Sequence, residues 1–403
     1  GFKSRLSSWA YEEARRAVLR FVGAHETTSV ALFMRNTTEA INHAARRVAL
    51  PPGAVVITTA MEHHSNDLPW RAVADVVRIP VDPRGRVDEV ALRRALHQYA
   101  GRIALLAVSG ASNVTGIVNP VHRWAFWAHE AGARILVDGA QLVPHRPVCI
   151  GEAGDPEHLD FLAFSGHKMY APFGVGVLVG PTDLLASGPP RLVGGGTVDV
   201  VDDDRVVFTA LPDREEAGTP CIIGAVALAA AIREYERIGW PALLEHEREL
   251  TRELLAGLQR IPSVEVYGDA DPDRADERLG VIAFNVAGVP HGLVSAVLAE
   301  EWGIGTRNGC FCAHLYAKAL LRIGSQEAQL FESRILRGDR GDVPGMVRVS
   351  VGIENTPDDV RRLVAAVGAI ARGCIRDGYT LDRASGEYTS AEACSDFSAW
   401  FQP

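Results

Sequence analysis

Phe161-Leu162-Ala163-Phe164-Ser165-Gly166-His167-Lys168-Met169-Tyr170-Ala171-Pro172-Phe173-Gly174-Val175-Gly176-Val177-Leu178-Val179 holds two apolar runs separated by a polar turn. Continuous apolar runs, unlike alternating ones, mark strands buried on both faces. The turn between them carries one amine, Lys168, and can present it to a pocket at the sheet edge. An amine desolvated there shifts its pKa readily and suits Schiff-base chemistry. Most lysines are solvated surface groups, so Lys168 takes its meaning from its neighbours.

Outward from this segment, short β-rich runs alternate with helical patterns. The predicted strands are Val30–Met34, Ala54–Thr59, Asp75–Val81, Ile103–Ser109, Arg134–Asp138, Phe161–Phe164 and Gly176–Val179. Helical patterns fall between most of them, at Thr37–Val48, Asp88–Tyr99 and Val121–Ala131. This alternation predicts an α/β layered domain with a mostly parallel seven-stranded sheet over residues 1–240. From Trp240 the texture changes to helix Pro241–Gln259, strands Val264–Tyr267 and Val281–Val286, helix Gly292–Glu301, strand Met346–Val351 and a helix near Asp358–Ala371. Residues 241–372 therefore read as a smaller C-terminal α+β domain. The Ser-, Asp- and Gly-rich stretch 373–403 reads as a tail, loosely ordered or packed on the surface.

Composition narrows the function. The 403 residues are 47% hydrophobic and 23% charged, ordinary for a globular chain, and the net charge is −9. Basic residues occur as scattered pairs and form no stripe, which argues against nucleic-acid binding. Cys149, Cys221, Cys310, Cys312, Cys374 and Cys394 show no framework spacing. With no secretory leader recognised, they point to a reducing cytoplasm. The apolar stretch Ile222–Ile232 is too short to span a bilayer and is interrupted by Gly224, so no membrane segment is expected.

Open α/β sheets bind ligands at the carboxyl ends of their strands. The residues just beyond those ends form a chemically coherent set. They are Asn36-Thr37-Thr38, Glu62-His63-His64, Ser112-Asn113, Asp138 with Gln141, and Ser165-His167-Lys168. Asp138, ending Ile135-Leu136-Val137-Asp138, can face a pyridinium nitrogen; standing alone it would read as a turn aspartate. Thr37-Thr38 can open a helix onto a phosphate, or simply cap it. His63 and His64 are poorly disposed for a shared metal, because neighbours on a strand end point to opposite sides. Stacking over an aromatic ring is the better use of one of them. Cys310, Cys312 and His314 lack the spacing of a two-plus-two zinc site, so no metal is expected there.

Taken together, these segments resemble fold-type I pyridoxal-phosphate enzymes of the class V aminotransferase group, and among them SUF-type cysteine desulfurases and selenocysteine lyases. The resemblance runs from about residue 10 to 372. It is carried by Asn36-Thr37-Thr38-Glu39-Ala40-Ile41-Asn42, Met61-Glu62-His63-His64-Ser65-Asn66, Ser112-Asn113-Val114-Thr115-Gly116, Val137-Asp138-Gly139-Ala140-Gln141, Ser165-Gly166-His167-Lys168 and Ala217-Gly218-Thr219-Pro220. The resemblance implies pyridoxal 5'-phosphate as cofactor. Lys168 would form the Schiff base and move the substrate α-proton, Asp138 would pair with the pyridinium, and His63 would stack on the ring. Gln141 and Asn113 would reach the phenolic oxygen, while Thr37, Thr38, Ser165 and His167 serve the phosphate. Thr219 would serve it from the neighbouring subunit of a homodimer, beside the loop Gly194-Gly195-Gly196.

At the substrate end, the resemblance places Arg348 on the amino-acid carboxylate, with Arg307 nearby and Cys312 as sulfur acceptor. A planar guanidinium suits a bidentate grip on a carboxylate, and a thiolate is the nucleophile such a transfer needs. The chain departs from the SUF-type pattern here. Cys310-Phe311 stands where a His-His pair is usual, His314-Leu315 where proline is usual, and the segment 316–345 is longer. The first expectation is cleavage of the C–S bond of L-cysteine or a derivative, with a sulfur-acceptor protein as partner. The departures keep open a C–S β-lyase releasing pyruvate and ammonia, a class V aminotransferase or epimerase, and, remotely, a non-catalytic scaffold.

Overall fold

The computed structural model describes residues 1–48 and 50–390. The chain forms two compact units. The first holds Gly1–Asp82, Val87–Ser112 and Val118–Glu245; the second holds Pro83–Arg86, Asn113–Ile117 and the chain from His246 onward. The chain thus passes between units more than once, which a linear division at residue 240 leaves out.

In the first unit the strands are β1 (Ser29–Met34), β2 (Val55–Thr59), β3 (Asp75–Ile79), β4 (Ile103–Ser109), β5 (Arg134–Asp138), β6 (Phe161–Ser165) and β7 (Gly176–Pro181). They form one sheet in the order β1-β7-β6-β5-β4-β2-β3. Only β7 opposes its neighbours; the pairings from β6 through β3 are parallel. The predicted seven-stranded, mostly parallel sheet is therefore present. β2 and β6 are buried at every position, as their continuous apolar runs require. The predicted third strand ended at Val81, but β3 stops at Ile79 because Pro80 has no N–H for the ladder.

Around the sheet lie α1 (Phe2–Phe21), α2 (Thr37–Arg47), α3 (Leu68–Arg71), α4 (Glu89–Gln98), α5 (Val121–Glu130), α6 (Thr182–Ala186) and α7 (Ile222–Ile238). One core joins Leu32, Ile41, Val56, Trp70, Leu105 and Leu136, each such side chain contributing about 1.5–3 kcal/mol on burial. The helix α1 was not predicted. Its buried stripe Tyr11, Ala14, Arg15, Val18, Leu19 keeps helical spacing but contains a charge. Arg15 is buried because Glu216 meets it at 2.8 Å, and Tyr11 donates to the same carboxylate at 2.7 Å. An exposed hairpin, β8 (Val198–Asp202) with β9 (Arg205–Phe208), was also unpredicted.

The chain leaves the first unit within α8 (Trp240–Gln259). The second unit has an antiparallel sheet of β10 (Val264–Tyr267), β11 (Val281–Val286), β12 (Arg307–Gly309) and β13 (Met346–Ser350), ordered β10-β11-β13-β12. The helices α9 (His291–Trp302), α10 (His314–Leu320), α11 (Ser325–Leu336) and α12 (Pro357–Ala371) complete it. Leu254, Leu258, Phe284, Val297, Val347 and Leu363 form its core. Within the stretch expected as a loose or surface-packed tail, β14 (Tyr379–Asp382) and β15 (Glu387–Ser390) form a hairpin, and β15 packs against α9. Residues 391–403 of that tail lie outside the described residues. No described helix is long and apolar enough to cross a membrane.

Candidate functional site

In the first unit, the carboxyl ends of β1, β2, β5 and β6 deliver the chemistry. Beyond β1, Asn36 caps α2 by accepting the Glu39 N–H at 3.0 Å, worth about 1 kcal/mol. This fixes Thr37 and Thr38 in the helix's first turn. The Thr37 N–H donates to Ser165 Oγ at 2.8 Å, and the two hydroxyls lie 2.6 Å apart. Thr38 Oγ1 sits 2.6 Å from Ser65 Oγ. The Ser65 hydroxyl is also 3.0 Å from His63 Nδ1, which accepts the Ser65 N–H at 3.1 Å. Thr37 with Ser165, and Thr38 with Ser65 and His63, are thus two hydrogen-bonded groups that meet in the first turn of α2. His63 and His64 do not stand on a strand end as expected; they enter a 3-10 turn, His64–Asn66, with ring centroids 6.2 Å apart.

Lys168 lies in the 3-10 turn Gly166–Met169 after β6. The turn is tied down by Gly166 N–H donating to Val175 O at 2.7 Å and Ala171 N–H donating to Gly166 O at 3.0 Å. Tyr170 and Phe173 hold left-handed φ of 61° and 74°, each costing on the order of 1 kcal/mol. Gly176 and Gly224 allow neighbours to close in. A Cβ on Gly176 would stand 2.4 Å from the Asn36 backbone, and one on Gly224 would stand 3.3 Å from Phe173 O.

Asp138, at the end of β5, is buried and accepts the Ala140 N–H at 3.0 Å. Burial pushes its pKa up, while the Ala140 N–H and the Lys168 charge pull it down. A buried carboxylate in this state favours a cationic N–H partner, as a protonated pyridine nitrogen would be. His167 has its pKa lowered by burial and by Lys168. Gln141 is half-buried in the turn after β5, and Thr219 is exposed. The Gly218 N–H donates to Gly195 O at 2.8 Å, joining the Thr219 segment to the Gly194–Gly196 loop.

Sequence reasoning placed Glu62 in the strand-end set beside His63 but gave it no role of its own. It is fully buried and accepts from Thr59 Oγ1 at 2.6 Å, Asn66 Nδ2 at 2.7 Å and Ser109 Oγ at 2.7 Å. Burial outweighs these donors and pushes its pKa to about 7. Glu215 and Glu216 were also missed. Glu215 meets His43 at 2.9 Å and Arg47 at 3.2 Å, and Glu216 accepts the Phe33 N–H at 2.6 Å. These two carboxylates anchor the Ala217-Gly218-Thr219-Pro220 segment to α1, β1 and α2. Only their position beside that motif could have signalled them.

The second unit carries a second constellation. Arg307 and Arg348 are register partners across β12 and β13. Arg348 donates to Asn113 O at 2.8 Å, and its guanidinium lies 5.2 Å from the Phe311 ring centroid. Its Nε is buried with no hydrogen-bond partner. Burial and the Arg307 charge lower the Arg348 pKa to about 10, and Cys312 opposes this. Asn113 Nδ2 donates to Phe311 O at 2.8 Å. Asn113 thus supports the Phe311 turn and Arg348 within this unit. Phe311 and Cys312 both hold left-handed φ, 53° and 56°, so Phe311 is buried while Cys312 is exposed. Cys310 is half-buried; burial raises its thiol pKa, and its Sγ donates to Pro344 O.

Comparison with known proteins agrees with this geometry. The family model described as Aminotransferase class-V matches residues 4–363. A cysteine desulfurase of Dickeya dadantii is 36% identical over 378 residues, covering 92% of this chain and 83% of that one. A probable cysteine desulfurase of Vibrio cholerae is 34% identical, covering 89% and 81%. A solved cysteine desulfurase of Thermococcus onnurineus superposes with a TM-score of 0.78 at 31% identity, covering 92% of this chain and 86% of that one. One from Escherichia coli gives 0.77 at 30% identity, with the same coverage. The chain belongs to the class V aminotransferase family and is a cysteine-desulfurase-like enzyme of the pyridoxal-phosphate fold-type I class.

Proposed function

We propose that this enzyme holds pyridoxal 5'-phosphate on Lys168 and removes sulfur from L-cysteine, passing it to Cys312. Bound there, the cofactor supplies an electron sink that weakens the substrate Cα–H bond. The Lys168 amine moves the proton at Cα, and the Asp138 carboxylate keeps the ring nitrogen protonated. His63 covers the ring face, with its Nδ1 fixed by Ser65. Thr37, Thr38, Ser165 and His167 take the phosphate at the first turn of α2, helped by that helix's N-terminal dipole. Thr219 of a second copy adds to them, and Gln141 and Asn113 serve the phenolic oxygen.

The substrate carboxylate is gripped by Arg348, whose buried Nε lacks a partner, with Arg307 adding charge. Cys312 Sγ, as thiolate, takes the substrate sulfur. A sulfur–sulfur bond forms, the Cβ–S bond breaks with its electron pair going to carbon, and a proton at Cβ completes L-alanine. A thiol reductant or a sulfur-acceptor protein then relieves the Cys312 persulfide. The observation that carries this reading is Cys312 itself, an exposed thiol held out by two left-handed residues within the electrostatic reach of Arg348.

The test reconstitutes the protein with pyridoxal phosphate and supplies L-cysteine with a thiol reductant. Lys168→Ala loses the visible absorbance of lysine-bound cofactor. Cys312→Ala keeps that absorbance but loses alanine formation by at least about 100-fold. Pyruvate released equally well by Cys312→Ala would replace sulfur transfer with β-elimination.

A further inference from the structure

Three histidines of the first unit, away from Lys168, direct Nδ1 at consecutive carbonyls of one loop. His122 Nδ1 lies 2.9 Å from Glu157 O, His129 Nδ1 2.7 Å from Pro156 O, and His158 Nδ1 2.5 Å from Asp155 O. A carbonyl only accepts, so each Nδ1 carries the proton. In the neutral rings of His129 and His158, Nε2 is then the lone-pair nitrogen.

Both of these lone pairs face one carboxylate. His129 Nε2 is 3.0 Å from Asp160 Oδ2, and His158 Nε2 is 3.7 Å from Asp160 Oδ1. The rings stack with centroids 4.4 Å apart and 18° between their planes. One ligand atom from each of the three residues lies within 4.8 Å of the other two. Asp160 is itself oriented, because Oδ2 accepts the Ile135 N–H at 2.9 Å; Arg134 is 3.8 Å from Oδ1.

Lone pairs aimed at carboxylate oxygens repel, so a cation belongs between them. A single proton on His129 Nε2 would satisfy its 3.0 Å contact but would leave His158 Nε2, at 3.7 Å, outside hydrogen-bond reach of Asp160. One divalent ion satisfies all three groups together. Imidazoles whose second nitrogen donates to a backbone carbonyl have the outer-shell support typical of metal-binding histidines.

We propose that His129, His158 and Asp160 form a binding site for a borderline divalent cation of the zinc class, with solvent completing the coordination. His129 lies in the last turn of α5, and Asp160 immediately precedes β6. Lys168 follows the other end of β6, separated by about 17 Å of strand. The ion therefore pins α5 to the entry of β6 and takes no part in the chemistry at Lys168.

The experiment titrates chelator-treated holoenzyme with Co²⁺ and reads the visible d–d bands and the bound equivalents. One equivalent with the intense bands of low coordination number is expected in the wild type. It is lost in His129→Gln and in His158→Gln, while alanine production from L-cysteine is unchanged. Wild type and the variant combining His129→Gln with His158→Gln binding the same number of equivalents, or wild type binding none, overturns the site. Should a variant fail to fold, the wild type alone decides. Zn²⁺ protects His129 and His158 from acylation, read by peptide mass spectrometry, and unchanged labelling of both rings overturns the proposal.

Discussion

The Glu62 carboxylate shows how one buried group links stability to pH. Its pKa stands near 7 in the folded chain against an ordinary 4.5, because burial disfavours its charge more than Thr59, Asn66 and Ser109 favour it. Between those values the folded state binds more protons than the unfolded state, so stability falls as pH rises from about 4.5 to about 7 and then levels. Glu62→Gln removes this dependence. Its amide oxygen can keep the donors Asn66 and Ser109, and its amide nitrogen can donate to Thr59 Oγ1. Urea unfolding across that window should show the variant gaining on wild type, by on the order of 3 kcal/mol at the upper end. A gap that does not change with pH would refute the assignment. At Asp138 the same desolvation has a different consequence, since a cationic ring nitrogen can neutralise it. Asp138→Asn is expected to retain the fold but lower turnover by about 100-fold or more, measured as alanine released per bound cofactor.

The start of α2 depends on what β7 lacks. A side chain at Gly176 would enter the Asn36 backbone at 2.4 Å, and backbone cannot swing away as a flexible side chain can. Gly176→Ala should therefore push the first turn of α2, with Thr37 and Thr38, off its seat against Ser165. The expected cost is about 1–3 kcal/mol in thermal unfolding, with weaker retention of pyridoxal phosphate on dialysis; an unchanged midpoint and retention would sink the idea. The seven strands of this sheet were legible because buried parallel strands read as unbroken apolar runs, and the polar residues at their ends follow by position. The element α1 was not legible, because Arg15 sits in its apolar stripe and its partner Glu216 lies 201 residues away. The β8–β9 hairpin escaped notice because its valines face outward, so no buried face imposes a pattern. Motif order was what singled out Lys168, Asp138 and the threonines as candidates. Glu62 and the Asn113–Phe311–Arg348 network were not, since their roles arise from contacts between distant segments.

At the scale of the whole molecule, the outward-facing valines are the informative feature. Val201 is 66% exposed and its ladder partner Val206 50%, and Leu192 and Val193 are exposed just before the Gly194–Gly196 loop. Apolar side chains left open on a chain with net charge −9 suit burial against another protein surface. The same stretch is hydrogen-bonded through Gly195 to Gly218, next to the exposed Thr219. Pairing two copies through this region would bury the valines and carry Thr219 toward the other copy's phosphate site. Sedimentation velocity should therefore report a dimer for the wild type. Val201→Asp combined with Val206→Asp should shift it to monomer and weaken cofactor binding about tenfold or more, the loss expected when one charge-assisted phosphate contact disappears. Thr219→Ala should weaken the cofactor by a similar factor while sedimenting as a dimer. A wild type that sediments as a monomer yet turns over cysteine at full rate would remove both the dimer and the role of Thr219.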